Sequence, residues 1–133
     1  MYTYTVEVQD DGTIRWYQNG QLHRLNGPAV EYSDGSCWWY QNGQIHRLDG
    51  PAIEHIDGTR QWWQNDHRHR LDGPAVEWST GYREWYINGV QLSPQEFKAQ
   101  TEPVEMTLTE ICQALGKNVK IVNNSCTNQI FSV

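Results

Sequence analysis

The sequence predicts a mainly β protein, an elongated antiparallel β-meander or solenoid of stacked 23-residue hairpin repeats followed by a small C-terminal α/β cap. Three markers that share one period indicate this fold. An aromatic pair with Asn two residues later begins at Trp16, Trp39, Trp62 and Trp85, a Gly-Pro-Ala step begins at Gly27, Gly50 and Gly73, and an Asp-Gly or Thr-Gly step recurs at the same interval. A fixed period of this length is typical of units that stack on their neighbours.

Composition separates the predicted array from the predicted cap. All Trp and Tyr residues lie at or before Tyr86, whereas both Phe residues lie after it. The basic residues up to Leu92 are all Arg, and those beyond it are all Lys. The array therefore covers residues 1–92, with a partial unit at 1–15, units at 16–38, 39–61 and 62–84, and a partial unit at 85–92, and the cap covers residues 93–133.

Asn-Gly and Asp-Gly steps alternate along the array. Each favours a two-residue type I′ hairpin loop, because these residues tolerate positive φ at both central positions. Each unit is therefore expected to hold one central aromatic strand with a hairpin at each end. The longer return path contains Gly-Pro, which removes a ladder donor, so we expect two shorter strands there, near 44–47 and 52–56 in the second unit.

Successive residues of a strand point to opposite faces of a sheet, which separates the aromatic residues into two columns. The first column, Trp16, Trp39, Trp62 and Trp85, is a structural repeat together with the glycines of the Gly-Pro-Ala steps, Gly27, Gly50 and Gly73. The second column consists of Tyr17, Tyr40, Trp63 and Tyr86. One column must be packed, and its expected partners are Leu25, Leu48 and Leu71 with Val30, Ile53 and Val76. The other column forms either a second packed layer or an exposed aromatic stripe.

The cap is predicted to contain two helices and a strand. Ser93 to Glu96 has the pattern of a capping box with Pro at the first helical position, and Thr107 to Glu110 repeats the box. Gly116 ends the second helix, and residues 118–123 form the strand. Residues 124–133 are expected to fray, and the cap is expected to cover the open end of the repeat stack.

Charge and composition limit the function. The net charge of −6 argues against a broad contact with nucleic-acid phosphates or an anionic membrane and favours a partner with a basic face. Neither a signal peptide nor an apolar run of about 18 residues is present, which predicts a cytoplasmic protein. Cys37, Cys112 and Cys126 lack paired or metal-ligand spacing and are expected to be reduced.

The units resemble MORN repeats, and more closely the variant form of bacterial and phage proteins with the pattern W-Y-x-N-G-x-x-H-R-x-D-G-P-A-x-E. The resemblance covers residues 1–92. Gly-Pro-Ala stands where the standard motif has Gly-x-Gly, so the phospholipid binding of some family members is not carried over. The resemblance implies an elongated scaffold with a protein-binding surface and, from some bacterial variants, an antitoxin-like role.

A His-Arg pair recurs in each unit, at His23, His46 and His69 with Arg24, Arg47 and Arg70. Neighbouring units separate these histidines by about 10–15 Å, too far for two ligands of one metal ion. We expect the arginines to form an ion-pair ladder with Glu31, Glu54 and Glu77, and the histidines to hydrogen-bond the Gly-Pro corner. His67 and His69 form a local His-x-His motif without a third ligand, so metal binding is the lesser alternative, and no metal or cofactor is predicted.

The candidate partner-binding residues fall into two groups. The aromatic stripe consists of Tyr17, Trp38, Tyr40, Trp63 and Tyr86, and a polar patch, Asp66, His67 and Arg68, replaces the Gly, Gln and Leu or Ile of earlier units. Tyr, Trp and Arg are enriched at binding hot spots. Packing against a return strand is the alternative for the stripe, and repeat decay is the alternative for the patch.

No nucleophile motif or phosphate-binding Gly-rich loop is recognisable, so no catalytic residue is predicted and we expect a protein without enzymatic activity. The sequence therefore predicts a protein–protein interaction module, in the form of a phage or bacterial inhibitor, anti-defence or antitoxin-like, that binds and blocks a partner protein. Two alternatives remain. The first is a small-ligand or nucleotide-sequestering protein, and the second is an architectural repeat protein that forms a homodimer.

Overall fold

A computed structural model describes residues 1–116, 119–124 and 127–132, and for the last two ranges it describes the backbone alone. The chain divides into two compact units, Met1–Thr101 and Glu102–Val133. The first unit contains β1 (Tyr4–Val8), β2 (Ile14–Gln18), β3 (Gln21–Leu22), β4 (Val30–Glu31), β5 (Cys37–Trp38), β6 (Tyr40–Gln41), β7 (Gln44–Ile45), β8 (Ile53–Glu54), β9 (Arg60–Gln61), β10 (Trp63–Gln64), β11 (His67–Arg68), β12 (Val76–Glu77), β13 (Arg83–Ile87), β14 (Val90–Leu92) and α1 (Pro94–Thr101). The second contains α2 (Leu108–Leu115), β15 (Val119–Asn124) and β16 (Thr127–Ser132).

The predicted mainly β class is confirmed. One antiparallel sheet has the order β1-β2-β4-β5-β8-β9-β12-β13-β14, with β3 paired to β2. Along this path the strands follow chain order, as a meander requires. The hairpins β6–β7, β10–β11 and β15–β16 form two-stranded sheets.

The central aromatic strand is continuous in the outer units and divided in the middle ones. β2 and β13 each have five residues, whereas Trp39 separates β5 from β6. The Trp39 N–H donates to the Ala52 carbonyl at 2.7 Å, and the His46 N–H donates to the Trp39 carbonyl at 3.1 Å. One tryptophan thus joins the sheet ladder on one side to the Asn-Gly hairpin ladder on the other.

Both kinds of predicted hairpin are present, but their turns differ. Asn19 and Gly20 have φ values of 51° and 77°, as a type I′ turn requires. The prediction of the same turn at Asp-Gly is wrong. Among residues 10–12, positive φ occurs at Gly12 alone, and the Gln9 N–H donates to the Thr13 carbonyl across them. The Asp11 carboxylate accepts the Thr13 N–H at 2.9 Å, which stabilises a type I turn with glycine in the left-handed position.

The core of the first unit is small and repeats with the unit. Its buried apolar residues are Ala29, Val30, Ala52, Ile53, Ala75, Val76 and Phe97. The predicted burial of Val30 and its equivalents is confirmed, whereas the predicted packing of the leucines is wrong, since Leu25, Leu48 and Leu71 are 72%, 74% and 58% exposed. The preceding arginine takes the place expected for the leucine, because a planar guanidinium covers an indole ring well.

The helices begin as predicted. In α1 the Ser93 N–H donates to the Glu96 carboxylate at 2.7 Å, and Phe97 packs the helix against β13 and β14. Although predicted as part of the cap, α1 belongs to the first unit. Thr107 caps α2 with the second box, and Gly116 ends it with φ 60°. Each helix has eight residues, and no helix in the described ranges is long and apolar enough to cross a membrane.

The predicted strand at 118–123 is found as β15, although Asn118 lies outside the described residues. The fraying predicted for residues 124–133 is wrong for 127–132, which form β16 paired with β15. The sequence VKIVNN and its partner TNQIFS alternate poorly, so a period of two did not mark this hairpin. Cys126, expected to be a reduced thiol, lies outside the described residues, whereas Cys37 and Cys112 are free thiols.

Candidate protein-binding face

The pairing register assigns the aromatic columns to opposite sides of the sheet. Directly paired residues of antiparallel strands point to one face. Val30 pairs with both Arg15 and Trp38, so these two side chains share a side, whereas the pairing of Glu31 with Ile14 places Glu31 on the side of Trp16. We call the side that carries Trp16, Trp39 and Trp62 the corner face, and the side that carries Tyr17, Trp38, Tyr40, Trp63 and Tyr86 the aromatic face.

The corner face repeats one arrangement in each complete unit. The guanidinium carbon lies 3.9, 3.9 and 3.8 Å from the ring centroid in the pairs Arg24–Trp16, Arg47–Trp39 and Arg70–Trp62. The same guanidinium pairs with Glu31, Glu54 and Glu77 at 2.9, 3.1 and 3.3 Å, which confirms the predicted ladder. It also donates to the carbonyl of Pro28, Pro51 or Pro74.

The repeated glycine follows from this packing. A Cβ on Gly50 would lie 2.9 Å from Cζ of Arg47, and the equivalent distance at Gly27 is 2.7 Å. A side chain there would push the guanidinium away from the indole ring. The glycine of Gly-Pro-Ala is therefore needed for the close approach of arginine, whatever its φ.

The histidines join one unit to the next. Nδ1 of His23, His46 and His69 accepts the N–H of Asn42, Asn65 and Asn88 at 3.0, 3.2 and 3.0 Å. The predicted bond to the Gly-Pro corner is wrong, because the Asn-Gly turn of the following unit is the element that presents a free N–H. Since Nδ1 accepts, the imidazole is the neutral tautomer with its proton on Nε2.

The His-x-His motif is divided between two partners. His69 binds the Asn88 N–H, whereas Nδ1 of His67 lies 2.8 Å from the Asn65 carbonyl. Among the described residues no group of three His, Cys, Asp or Glu side chains has a metal-binding arrangement.

A first aromatic cluster on the aromatic face surrounds Trp38. Its ring centroid lies 5.8 Å from Tyr32 and 6.1 Å from His55 with edge contacts, and 6.4 Å from Tyr40 with stacked planes. All four side chains are half-buried. Burial raises the pKa of the Tyr40 hydroxyl above its usual range. Tyr32 and His55 were not predicted, although they follow Val30 and Ile53 by two residues and a strand period of two would have placed them here.

A second cluster is centred on Arg68. Its guanidinium carbon lies 5.4 Å from the Trp63 ring and 5.2 Å from the Tyr86 ring. Nη1 donates to the Tyr86 hydroxyl at 3.3 Å, and that hydroxyl donates to Glu84 at 3.1 Å. Nε of Arg68 is buried without a hydrogen-bond partner in the described part of the chain. The structure thus brings together three of the predicted binding residues, Trp63, Arg68 and Tyr86.

The remaining predicted residues are Asp66, His67 and Tyr17. Asp66 accepts the Ile45 N–H of the preceding hairpin at 2.7 Å, so part of its role is structural. Together with the exposed His67 it lines a cleft of about 270 Å³ whose walls include Trp63, Arg68 and Tyr86. Tyr17 lies nearer β1. Burial raises the pKa of its hydroxyl above the usual range, and Glu7 raises it further by a smaller amount. Every residue of both aromatic columns is half-buried, so the second column is neither a fully packed layer nor a fully exposed stripe.

The two faces also differ in how they change along the chain. The corner residues Trp, Arg, Gly, Pro and Glu are the same in every complete unit. On the aromatic face, three equivalent positions differ between successive units. The first is occupied by Arg15, Trp38, Gln61 and Glu84. The second is occupied by Tyr32, His55 and Trp78, and the third by Leu22, Ile45 and Arg68. Stacking requires the same contacts in every unit. Positions whose residues differ between units are therefore not constrained by stacking.

Comparison with protein-family models, curated proteins and solved structures gives no match to this chain. The proposal for its function therefore depends on the two faces themselves.

Proposed function

We propose that this chain is a non-enzymatic protein-binding module and that its aromatic face is the contact surface. The observation that carries the proposal is the pair of half-exposed aromatic clusters, around Trp38 and around Arg68, at positions of the aromatic face that differ from unit to unit. Trp, Tyr and Arg are the residue types that dominate binding hot spots. The constant residues of the opposite face are explained by the stacking of units and require no partner.

The clusters are ordered before a partner arrives. Trp38 is held by three neighbouring rings, and Arg68 is held between two rings with hydrogen bonds that extend to Glu84. Ordering of a long side chain costs about 0.5–1.5 kcal/mol when it occurs on binding. A surface that is already ordered avoids this cost, which favours tight association.

The charge of the chain favours a partner with a basic contact surface. Sixteen acidic residues oppose ten basic ones, and complementary charge accelerates association and excludes other partners. An inhibitor that covers a basic groove of its partner, of the bacterial or phage type that the repeat resemblance implies, is the form of this function that we propose. The array would then act as an elongated, solenoid-like stack, a shape supported by the hydrogen bonds that recur from unit to unit.

Binding of a small ligand or nucleotide is less well supported. A cleft of about 520 Å³ lies between the second and third corners, lined by Arg47, Leu48, Trp62 and Arg70 among others. Its volume suits a small ligand. However, Arg47 already pairs with Asp49 and Glu54, and Arg70 pairs with Asp72 and Glu77. Two carboxylates for each guanidinium leave these corners net negative, which disfavours a phosphate.

The proposal is tested by capture and then by titration. The tagged chain is used to capture proteins from a lysate, mass spectrometry identifies them, and each purified candidate is titrated by calorimetry. Trp38→Ala and Arg68→Gln are expected to weaken binding at least tenfold, and Leu48→Ala, an exposed residue of the corner face, serves as the matched control. Circular dichroism checks that each variant is folded.

Wild-type affinity in both aromatic-face variants would refute the assignment of the face. Tight binding of a free nucleotide in a parallel titration would instead favour the small-ligand alternative.

A further inference from the structure

The sheet of the first unit ends on one side in the exposed strand β1. β1 is the first strand in the sheet order, and β2 is its sole strand partner among the described residues. Every residue of β1 is exposed, including Tyr4, Val6 and Val8 at 68%, 56% and 70%. At the other end, α1 packs against β13 and β14. The two ends of the sheet are therefore not equivalent.

The hydrogen bonds next to β1 show which main-chain groups face outward. The Asn19 N–H donates to the Thr3 carbonyl, and the Gln9 N–H donates to the Thr13 carbonyl. Main-chain groups of an antiparallel strand face one neighbour at every second residue. Thr3, Thr5, Glu7 and Gln9 therefore face β2, whereas the N–H and C=O groups of Tyr4, Val6 and Val8 face away from it.

β1 has few of the features by which edge strands usually avoid pairing. Its sequence, YTVEV, contains no proline, no glycine, no lysine and no bulge, and Glu7 is its single charge. Regular edges with exposed apolar side chains are templates for another strand. An edge with three outward N–H and C=O pairs and three exposed apolar side chains is ready to accept one.

We propose that β1 is a homodimerisation edge, at which a second copy of the chain pairs antiparallel about a two-fold axis through Val6. In this register Val6 lies opposite Val6 of the second copy, and Tyr4 lies opposite its Val8. The outward groups of all three residues are then satisfied, and the apolar side chains form one continuous cross-strand row. This proposal is independent of the proposed function, because it uses the end of the sheet and not its aromatic face.

Charge favours this register over the neighbouring two-fold register. With the axis at Val6, Glu7 lies opposite Thr5 of the second copy, so no like charges are paired. With the axis at Glu7, the two Glu7 carboxylates would face each other at the close, non-hydrogen-bonded distance, which is destabilising. A two-fold pairing closes with two subunits, because the same edge is used by both.

Sedimentation equilibrium of the full chain over a range of concentrations tests the proposal. The wild type is expected to dimerise, and Val6→Lys is expected to be monomeric over the same range with an unchanged circular dichroism spectrum. Val90→Lys, an exposed valine of β14 at the far end of the sheet, is the control and is expected to dimerise like the wild type. Val6→Pro is a second variant and is likewise expected to be monomeric. Proline removes the outward N–H of this residue, which is not bonded to β2.

The register is tested by cross-linking. Hydrogen-bonded antiparallel pairs have Cα atoms about 5.5 Å apart, which lies within the range of about 4.4–6.8 Å for a disulfide. Val6→Cys is expected to form a disulfide-linked dimer under oxidising conditions, whereas Val8→Cys, opposite Tyr4, is not. A wild type that stays monomeric, dimerisation that survives Val6→Lys, or equal cross-linking of the two cysteine variants would overturn the proposal.

Discussion

The corner of the second unit allows a stability prediction to be worked from its contacts. Replacement of Arg47 by alanine removes the guanidinium that lies 3.9 Å above the Trp39 ring, its hydrogen bond to the Pro51 carbonyl at 3.0 Å and its ion pair with Glu54 at 3.1 Å. The Arg47 side chain is 19% exposed, so water screens these contacts only in part. We expect Arg47→Ala to destabilise the first unit.

The magnitude follows from three contributions. A largely desolvated cation–π contact contributes about 1–2 kcal/mol. A hydrogen bond from a charged donor contributes about 1.5 kcal/mol, and an ion pair whose carboxylate is half exposed contributes about 0.5 kcal/mol. Because these contacts share one side chain and are not additive, we expect a loss of about 2–4 kcal/mol. Arg47→Lys keeps the charge but not the planar fork, so it is expected to lose most of this amount.

Urea unfolding monitored by tryptophan fluorescence and circular dichroism measures the loss. With a slope of about 2 kcal/mol per molar urea, the midpoint is expected to fall by about 1–2 M. Arg60→Ala is the control, because Arg60 is an exposed arginine of the same unit and its loss is expected to cost less than about 0.5 kcal/mol. Equal midpoints for Arg47→Ala and Arg60→Ala would show that the corner does not stabilise the stack.

Three further predictions follow from other contacts. His46→Ala leaves the Asn65 N–H without its acceptor and is expected to lower the free energy of unfolding by about 1 kcal/mol. A urea midpoint equal to that of the wild type would contradict this prediction. The Thr59 N–H lowers the pKa of Asp57, and Arg47 lowers that of Asp49, so both carboxylates stabilise the fold above the unfolded pKa. This contribution to stability is expected to be lost as the pH falls below about 4. Thermal unfolding at a series of pH values measures it, and an unfolding temperature that does not change with pH would contradict the prediction. Thr107→Ala is expected to cost α2 about 1 kcal/mol by removing its cap, seen as faster amide exchange in residues 108–115 but not in α1.

The sequence was sufficient for several of the features that depend on local geometry. The type I′ turn at Asn19, the caps at Ser93 and Thr107 and the Arg–Glu ladder each follow from residue types at a fixed spacing. The repeat then extended these features to every unit. For this reason the predicted meander and the two opposite columns agree with the structure.

The errors concern which of several available groups a side chain contacts, at short as well as at long separations in the sequence. The burial of Leu25 was predicted because apolar residues usually form a core, but Arg24 covers the indole of Trp16 instead. The role of His23 was missed because its partner, the Asn42 N–H, belongs to the next unit. Asp11 was assigned the wrong turn because its carboxylate binds the Thr13 N–H. Sequence spacing alone does not show which of several nearby groups a polar side chain will bind.

Trp62 and Trp63 provide the most direct test of the claim that one face maintains the stack and the other binds a partner. These neighbours point to opposite faces, Trp62 under Arg70 and Trp63 beside Arg68. The measurement is the affinity of each alanine variant for the captured protein, expressed per folded molecule. Trp63→Ala is expected to bind at least tenfold more weakly, and Trp62→Ala is expected to bind like the wild type although less of it is folded. The reverse order, or an equal loss in both variants, would contradict the account.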